Sequence, residues 1–321
     1  MLVTGAIVLA SQALAGSLDL AYKNVGLSIG NSKRFTGLRI NAVDRGIERI
    51  DGVNLTLGRP GKNPHGIVNG VSLAVVGADA AALNGINAAL IWISANRLWG
   101  LNLSLIGLGA DEGITGIAIG GIGVGGDKVT GLAIGGVGVG ADELTGVGAG
   151  LVGIGGEKID GLVIGGIGVG AEVMRGVGIG GIGIGGESLG GFFVGGLGVG
   201  AENFKGFGLG GLGVGAETLK GVAVGGLGCG AEDFTGFGMG GLGIGAERLR
   251  GGVVAVLYAG CHDARWFTAA AYNRVESNMV GLQIGLLNIT GVLNGVQIGV
   301  LNYVGNNPAW ARILPVINMH L

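Results

Sequence analysis

The residues of this chain that could do chemistry are a recurring carboxylate and one short polar trio. An acidic residue recurs every 15 positions, at Asp127, Asp142, Glu157, Glu172, Glu187, Glu202, Glu217, Glu232 and Glu247. On neighbouring strands ~4.8 Å apart, such carboxylates would form a ladder able to attract divalent cations. The segments lack the several Asp and Asn ligands that calcium-binding loops use, and basic residues such as Lys205 and Arg248 lie beside the same corner. We therefore predict a solvated edge of mixed charge, with cation binding as the alternative.

The polar trio is Cys261-His262-Asp263, which has the residue types of a nucleophile or metal site. No second pair of metal ligands accompanies it, and neither a G-x-S-x-G nor an HExxH motif occurs in the sequence. The Gly-X-Gly patterns are similar to phosphate-binding loops, but no helical pattern follows them. The sequence thus predicts no catalytic, cofactor-binding or metal-binding residue, no cofactor and no small-molecule substrate. We expect a protein that is not an enzyme.

Composition narrows the class of protein further. Glycine supplies 78 of the 321 residues while proline supplies 4, which excludes collagen and proline-rich linkers. Hydrophobic residues reach 48% and charged residues 12%, the opposite of a disordered chain. The net charge is −2 and no basic stripe is visible, so nucleic acid is not an expected partner.

A 15-residue repeat organises most of the chain. It is marked by glycines at 116, 131, 146, 161, 176, 191, 206, 221, 236 and 251. Counting each of these glycines as position 1, the consensus is Gly, apolar, variable, apolar, Gly, Gly, apolar, Gly, apolar, Gly, Ala or Gly, acidic, variable, apolar, variable. The same spacing extends backwards through Gly100, with one extra residue before Gly116, and through Gly85 and Gly70. It is also present from Gly37 to Gly52.

The pattern within a repeat is that of β-strands. Apolar residues alternate at positions 2 and 4 and again at 7 and 9, and glycine at this density opposes helix. Fixed short repeats stack and bury their apolar residues against their neighbours. We predict an all-β, three-sided, repetitive β-solenoid of ~15-residue coils, with positions 2, 4, 7, 9 and 14 pointing inward and glycine lining much of the outside. Cys229, at position 9, is predicted to be a buried thiol.

An antiparallel outer-membrane β-barrel built from 15-residue strand-turn units is the alternative. Position 3 alternates between glycine and larger residues, through Gly148, Val163, Gly178, Phe193, Gly208, Ala223 and Gly238. Such a 30-residue super-period could mark hairpins. The alternating C-terminus from Ile313 to Leu321 favours the same interpretation. Aromatic residues amount to only 5%, too few for two aromatic girdles.

Four segments follow from these patterns. Residues 1–15 carry an apolar run that ends in Ala13-Leu14-Ala15, typical of a signal peptide but without a basic start, and we interpret them as a truncated signal peptide. Irregular repeats occupy 16–115, nine regular glycine-rich repeats occupy 116–250, and bulkier repeats with a cap occupy 251–321. In the last segment we expect Asn288 and Asn302 to cap turns and Trp310 to shield the final coil.

The C-terminal segment beginning GLQIGLLNITGVLNGVQIGVLNYVGNN, from Gly281, resembles the GLQIGLLN-type repeats of a family of uncharacterised bacterial surface-repeat proteins. The resemblance spans most of the chain and implies an exported protein of the bacterial cell surface or outer membrane, with no catalytic residues to transfer. We therefore expect a structural or surface-associated repeat protein that acts as a rigid scaffold or interaction surface. An outer-membrane barrel or pore protein is the alternative. The partners expected are a second copy of the chain or a cell-envelope surface, including association with a membrane.

Overall fold

Strands account for about 80% of the residues that the structure, a computed structural model, describes, namely 16–321. The signal peptide predicted for residues 1–15 lies outside them. The chain divides into two compact units, Met1–Glu157 and Lys158–Leu321. Within residues 16–321, no helix has the length and apolar character needed to cross a membrane.

The first unit consists of short strands followed by strands that each run through most of a coil. They are β1 (Ser17–Tyr22), β2 (Val25–Gly30), β3 (Arg34–Asn41), β4 (Arg49–Thr56), β5 (Ile67–Ala74), β6 (Gly77–Ala89), β7 (Trp92–Ser104), β8 (Gly107–Gly120), β9 (Gly123–Gly135) and β10 (Gly138–Gly150). The boundary between the units falls inside β11 (Gly153–Gly165).

The second unit continues with strands of the same length until the last coils. They are β12 (Gly168–Gly180), β13 (Gly183–Gly195), β14 (Gly198–Gly210), β15 (Gly213–Gly225), β16 (Gly228–Gly240), β17 (Gly243–Ala255), β18 (Tyr258–Ala269), β19 (Tyr272–Val304) and β20 (Ile313–His320). A short 3-10 helix, Ala309–Ala311, precedes β20.

Neighbouring coils pair in parallel with a shift of one repeat, which makes the fold a β-solenoid. Gly123 pairs with Gly138 in the first unit, and Val199 pairs with Val214 in the second. The structure has about 17 coils of roughly 15 residues. The solenoid prediction is confirmed, and the antiparallel alternative is wrong because these pairings are parallel.

The coil length varies where the sequence pattern weakens. The glycine register holds through Gly37↔Gly52, Gly85↔Gly100 and Gly100↔Gly116, as predicted. Between Gly52 and Gly70 the coil is longer, and residues 57–66 lie between the paired strands. Near the C-terminus the coil shortens, since Asn288 hydrogen-bonds Asn302, 14 residues later.

Glycine at position 1 forms one corner of each coil. Gly206 has φ +131°, and a Cβ there would collide with the carbonyl oxygen of Gly191 in the preceding coil. An L side chain rarely adopts this φ, so glycine is required for both conformation and space. The other two bends lie at positions 6–7 and at position 12, where the pairing skips a residue. Three corners divide the coil into three sides, as predicted.

The interior is lined by positions 3, 9 and 14, which corrects the sequence prediction. Phe193, Val199 and Phe204 represent these positions and are at most 3% exposed. Positions 9 and 14 are inward as predicted, whereas 2, 4 and 7 point outward. Along a strand side chains alternate, so an inward residue at 14 and 3 places 2 and 4 outside. The interior of a 15-residue coil is too narrow for five large side chains.

The alternation at position 3 comes from core packing and does not mark hairpins. A Cβ on Gly208 would lie 2.9 Å from Cζ of Phe204, four residues earlier, and one on Gly238 would lie 2.9 Å from Cζ of Phe234. Where position 3 is large, as at Phe193, the residue four positions earlier is Leu189. Large and small residues therefore alternate at position 3, so that this side chain and the one four positions earlier fill the interior of each coil without overlapping.

Position 3 becomes polar towards both ends of the chain. In the early coils, buried Arg39 is ion-paired with Asp44 and donates to Oδ1 of Asn54 at 2.7 Å. In the late coils the same column holds buried Gln283 and Gln297, joined by a 2.7 Å hydrogen bond. Pairing along the stack satisfies most of these buried polar groups, whereas Arg39 Nε, Gln283 Nε2 and Gln297 Oε1 find no hydrogen-bond partner among the described residues.

Both terminal strands reverse direction. β1 pairs antiparallel with β2, and β20 pairs antiparallel with β19. Exposed strand edges template association, and a reversed, short final strand breaks the repeat of the stack. Trp310 is 82% exposed, so the predicted shielding of the last coil is provided by β20 and not by Trp310.

Candidate interaction surface

One side of the solenoid carries large aliphatic side chains in contact with solvent. We call positions 2, 4 and 7 the apolar face. Position 7 is about half exposed in coil after coil, at Ile122 (53%), Ile182 (51%), Leu212 (49%) and Leu242 (51%). Position 2 adds aromatic rings, and those of Phe192 and Phe207 stack with centroids 4.9 Å apart. Soluble proteins seldom expose a contiguous apolar strip of this kind unless it contacts a partner.

The face is flat in the regular coils because position 6 is glycine. A Cβ on Gly196 or Gly211 would collide with a carbonyl oxygen of the preceding coil. In the first unit, position 6 instead carries Val75, Leu90 and Leu105, and these side chains stand out from the surface. The face of the first unit therefore has relief that the regular coils lack.

A notch of about 510 Å³ lies in the apolar face of the first unit. Its lining includes Leu73 and Leu103, which occupy position 4 of the coils on either side of Ala88. Alanine at position 4 leaves the space that a leucine fills in both neighbours. The lining has one side-chain polar atom, the hydroxyl of Ser104, which donates to the carbonyl of Ile91 at 2.8 Å. The notch thus suits an aliphatic occupant, since nothing in it orients a polar ligand.

Leu151 is the most prominent side chain on the same face of the first unit. It occupies position 6, where the other regular coils have glycine, and it is 76% exposed. Val152 beside it is 47% exposed. A protruding leucine and an apolar notch therefore occur on one surface.

The side formed by positions 8 to 11 presents glycine to solvent. A Cβ on Gly140, Gly185 or Gly215, all at position 10, would meet nothing within 4 Å. Neither the backbone conformation nor the space requires glycine at this position. Substitutions here provide neutral controls for the apolar face.

The recurring carboxylates of position 12 are exposed in every regular coil, as the solvated-edge prediction expects. Ion pairs run between coils at position 13, where Lys128 Nζ lies 3.0 Å from Glu143 Oε2. The Arg248 guanidinium donates to Asp233 and holds the pKa of that carboxyl below its usual value. Among residues 16–321, no group of three or more His, Cys, Asp or Glu side chains is arranged to hold a metal ion.

The Cys261-His262-Asp263 trio is not brought together. Cys261 points inward and burial raises the pKa of its thiol to about 12. His262 points outward, with Nδ1 3.5 Å from Glu276 of the next coil. Asp263 accepts hydrogen bonds from Asn278, which lower its pKa. Strand alternation separates the thiol from the imidazole, so the three groups cannot act on one substrate.

Trp266 is a strained residue on the surface. It occupies position 1, where the other coils have glycine, and has φ +114° while being 71% exposed. A bulky residue with this φ is a genuine outlier, and strain of this kind costs about 1–3 kcal/mol.

The sequence prediction missed the apolar face because it assigned every recurrent aliphatic residue to the interior. The sequence did contain a signal that Leu151 is unusual, since it replaces the second glycine of the Gly-Gly pair. The loss of glycine at position 6 in the early coils was a second signal. Cys229 is buried at 6% exposure, and that prediction is confirmed.

No family model, curated protein or solved structure matches the chain.

Proposed function

We propose that this protein is a non-catalytic, exported repeat scaffold of the bacterial cell envelope that uses its apolar face as an interaction surface. The observation that carries the proposal is the recurrence of half-exposed aliphatic residues at position 7, such as Ile182 and Leu212. Burying an exposed Leu or Ile contributes about 1.5–3 kcal/mol, so leaving one in water in every coil is costly unless a partner covers it.

The chemistry of the interior supports a structural role. A catalytic cysteine needs a lowered pKa and access to substrate, whereas the pKa of buried Cys261 is raised to about 12. The inward amides of Asn273, Asn288 and Asn302 donate or accept hydrogen bonds along the stack. Export is proposed from the apolar run before Ala15 and from the resemblance of the segment after Gly281 to bacterial surface-repeat proteins.

Lysine substitutions on two sides of the same coils test the interaction surface. Ile182→Lys with Leu212→Lys places charge on the apolar face, and Gly185→Lys with Gly215→Lys places equal charge on the glycine side, where there is space. We expect only the first pair to abolish co-sedimentation of the full chain with isolated envelope fractions and to reduce binding of a hydrophobic dye. Equal effects of both pairs would refute the assignment of the interaction to the apolar face.

Export is tested by protease treatment of intact cells that express the full chain. We expect an epitope at the C-terminus to be cleaved on intact cells, and cleavage to be lost when residues 1–15 are deleted. Protection of the epitope until the cells are lysed would exclude a surface location.

A further inference from the structure

The first unit carries a knob and a hole on one surface. The knob is Leu151 at 76% exposure, and the hole is the notch of about 510 Å³ above Ala88. They lie four coils apart, at ~4.8 Å per coil, so the separation is ~19 Å along the stack. Leu151 therefore cannot fill the notch of its own chain.

A two-fold axis can bring both pairs together at once. The knob is at position 6, and the notch is lined by residues of positions 4, 5 and 6, so its centre is offset from the knob by about one residue or ~3.3 Å across the side. With ~19 Å along the stack, the line that joins them is inclined by ~10°. A two-fold axis in the plane of the face that exchanges knob and hole makes the two stacks cross antiparallel at ~20°. Face-to-face β-sheets keep their strand directions within about 30° of each other, and this angle lies within that range.

The available area approaches what such a pair needs. From the coil of Ile86 to that of Leu151 there are five coils, ~24 Å in height, and positions 2 to 7 span at most six residues or ~20 Å, because the chain bends at positions 6–7. Each copy would cover at most ~480 Å², or ~950 Å² for the pair, just below the ~1,000 Å² typical of a specific interface, which predicts a weak dimer. Exposed Leu90, Leu105 and Ile122 lie within this area. A second copy also has the same coil spacing, so its side chains meet this face at a constant interval.

We propose that a second copy of this chain covers the apolar face of the first unit, antiparallel, with Leu151 of each copy seated in the notch above Ala88 of the other. This inference rests on the proposed function, because it names the partner of the same face. The contact is isologous, so each knob and each hole is used.

Two substitutions, each copying the residue that other coils carry at the same position, remove the knob or fill the hole. Leu151→Gly restores the residue that regular coils carry at position 6, and Ala88→Leu copies Leu73 and Leu103 of the adjacent coils. Circular dichroism and the melting temperature report whether each variant keeps the fold. In analytical ultracentrifugation of the full chain we expect a wild-type dimer. Leu151→Gly should raise its dissociation constant about 100-fold, since two leucines per dimer lose their seats. Ala88→Leu should weaken it at least tenfold, and the control Gly140→Ser should leave it unchanged.

Cysteine cross-linking checks the orientation. In a background where Cys229 and Cys261 are replaced by valine, Ala88→Cys and Leu151→Cys are made singly and mixed. Because Cβ atoms in a disulfide lie ~3.5–4.5 Å apart, the mixture should give a covalent heterodimer on oxidation and neither variant alone should. Cross-linking of Leu151→Cys with itself would show that the two knobs meet each other and not the notches, and would overturn the proposal.

The outcomes separate this inference from the proposed function. A wild-type chain that stays monomeric at 100 µM, or a dimer unaffected by both Leu151→Gly and Ala88→Leu, overturns the second copy as the partner. The envelope co-sedimentation of Ile182→Lys with Leu212→Lys would still test the scaffold role in that case. Loss of the dimer in Gly140→Ser would also overturn the second copy as the partner, because Gly140 is on the glycine side and not on the apolar face.

Discussion

Substitution of Gly208 by alanine should destabilise the second unit although alanine normally stabilises a strand relative to glycine. The new Cβ would lie 2.9 Å from Cζ of Phe204, closer than real Cβ atoms come to a neighbour, and a tight 3.2 Å from Cγ1 of Val214. Overpacking of a core costs about 1–3 kcal/mol, and replacing glycine recovers about 0.5–1 kcal/mol. We expect a net loss of about 1–2 kcal/mol.

A second substitution at a neighbouring core position should offset this loss of stability. The next coil has Leu219 and Ala223 at the two corresponding positions, so Phe204→Leu with Gly208→Ala copies a pair that the protein already packs. Phe204→Leu alone should cost about 1–2 kcal/mol because it leaves a cavity. The double variant should be within about 1 kcal/mol of wild type, which corresponds to a coupling of about 2 kcal/mol.

Guanidinium unfolding followed by circular dichroism measures the four free energies of this cycle. Gly215→Ala is the matched control, because a Cβ at that position meets nothing within 4 Å, and it should be neutral or stabilising by about 0.4–1 kcal/mol. Strictly additive effects of Phe204→Leu and Gly208→Ala would refute the packing explanation of the alternating position 3.

Three further outcomes follow from buried or strained residues. Trp266→Gly should stabilise by about 1 kcal/mol, seen as a higher melting temperature, because it relieves a φ of +114°; a lower value would show that the ring contributes to folding. Asn288→Ala should cost about 1–3 kcal/mol in the same assay, since it leaves Oδ1 of buried Asn302 without its donor, whereas exposed Asn278→Ala should not. Since burial raises the pKa of Cys261 from 9.0 to about 12, the folded state retains a proton that the unfolded state loses. Stability should therefore fall as pH rises above 9, by about 2 kcal/mol at about pH 10.5 from Cys261 alone. Cys261→Val should remove this contribution and leave the one from Cys229, whose pKa burial also raises.

The repeat in the sequence was sufficient to predict the fold class. Gly131 and the glycines that follow it at the same spacing mark the corner of every coil. Each one also permits close stacking on the coil before it, and a residue with a Cβ occupies this corner only under strain, as Trp266 does. Stacking of identical short units, the parallel register and the burial of positions 9 and 14 all follow from this spacing. The 14-residue coil between Gly281 and Gly295 is also visible in the sequence, as the spacing of these two glycines.

Only the tertiary structure decided which aliphatic residues are inside. Positions 2 and 4 have the same composition and alternation as a core strand, so pattern alone cannot distinguish inward from outward. The decision comes from the cross-section of the closed coil, which Val199, Phe204 and Phe193 already fill. The notch above Ala88 and the exposure of Leu151 depend on the same geometry, because a missing or extra side chain becomes a hole or a knob only once its side of the coil faces solvent.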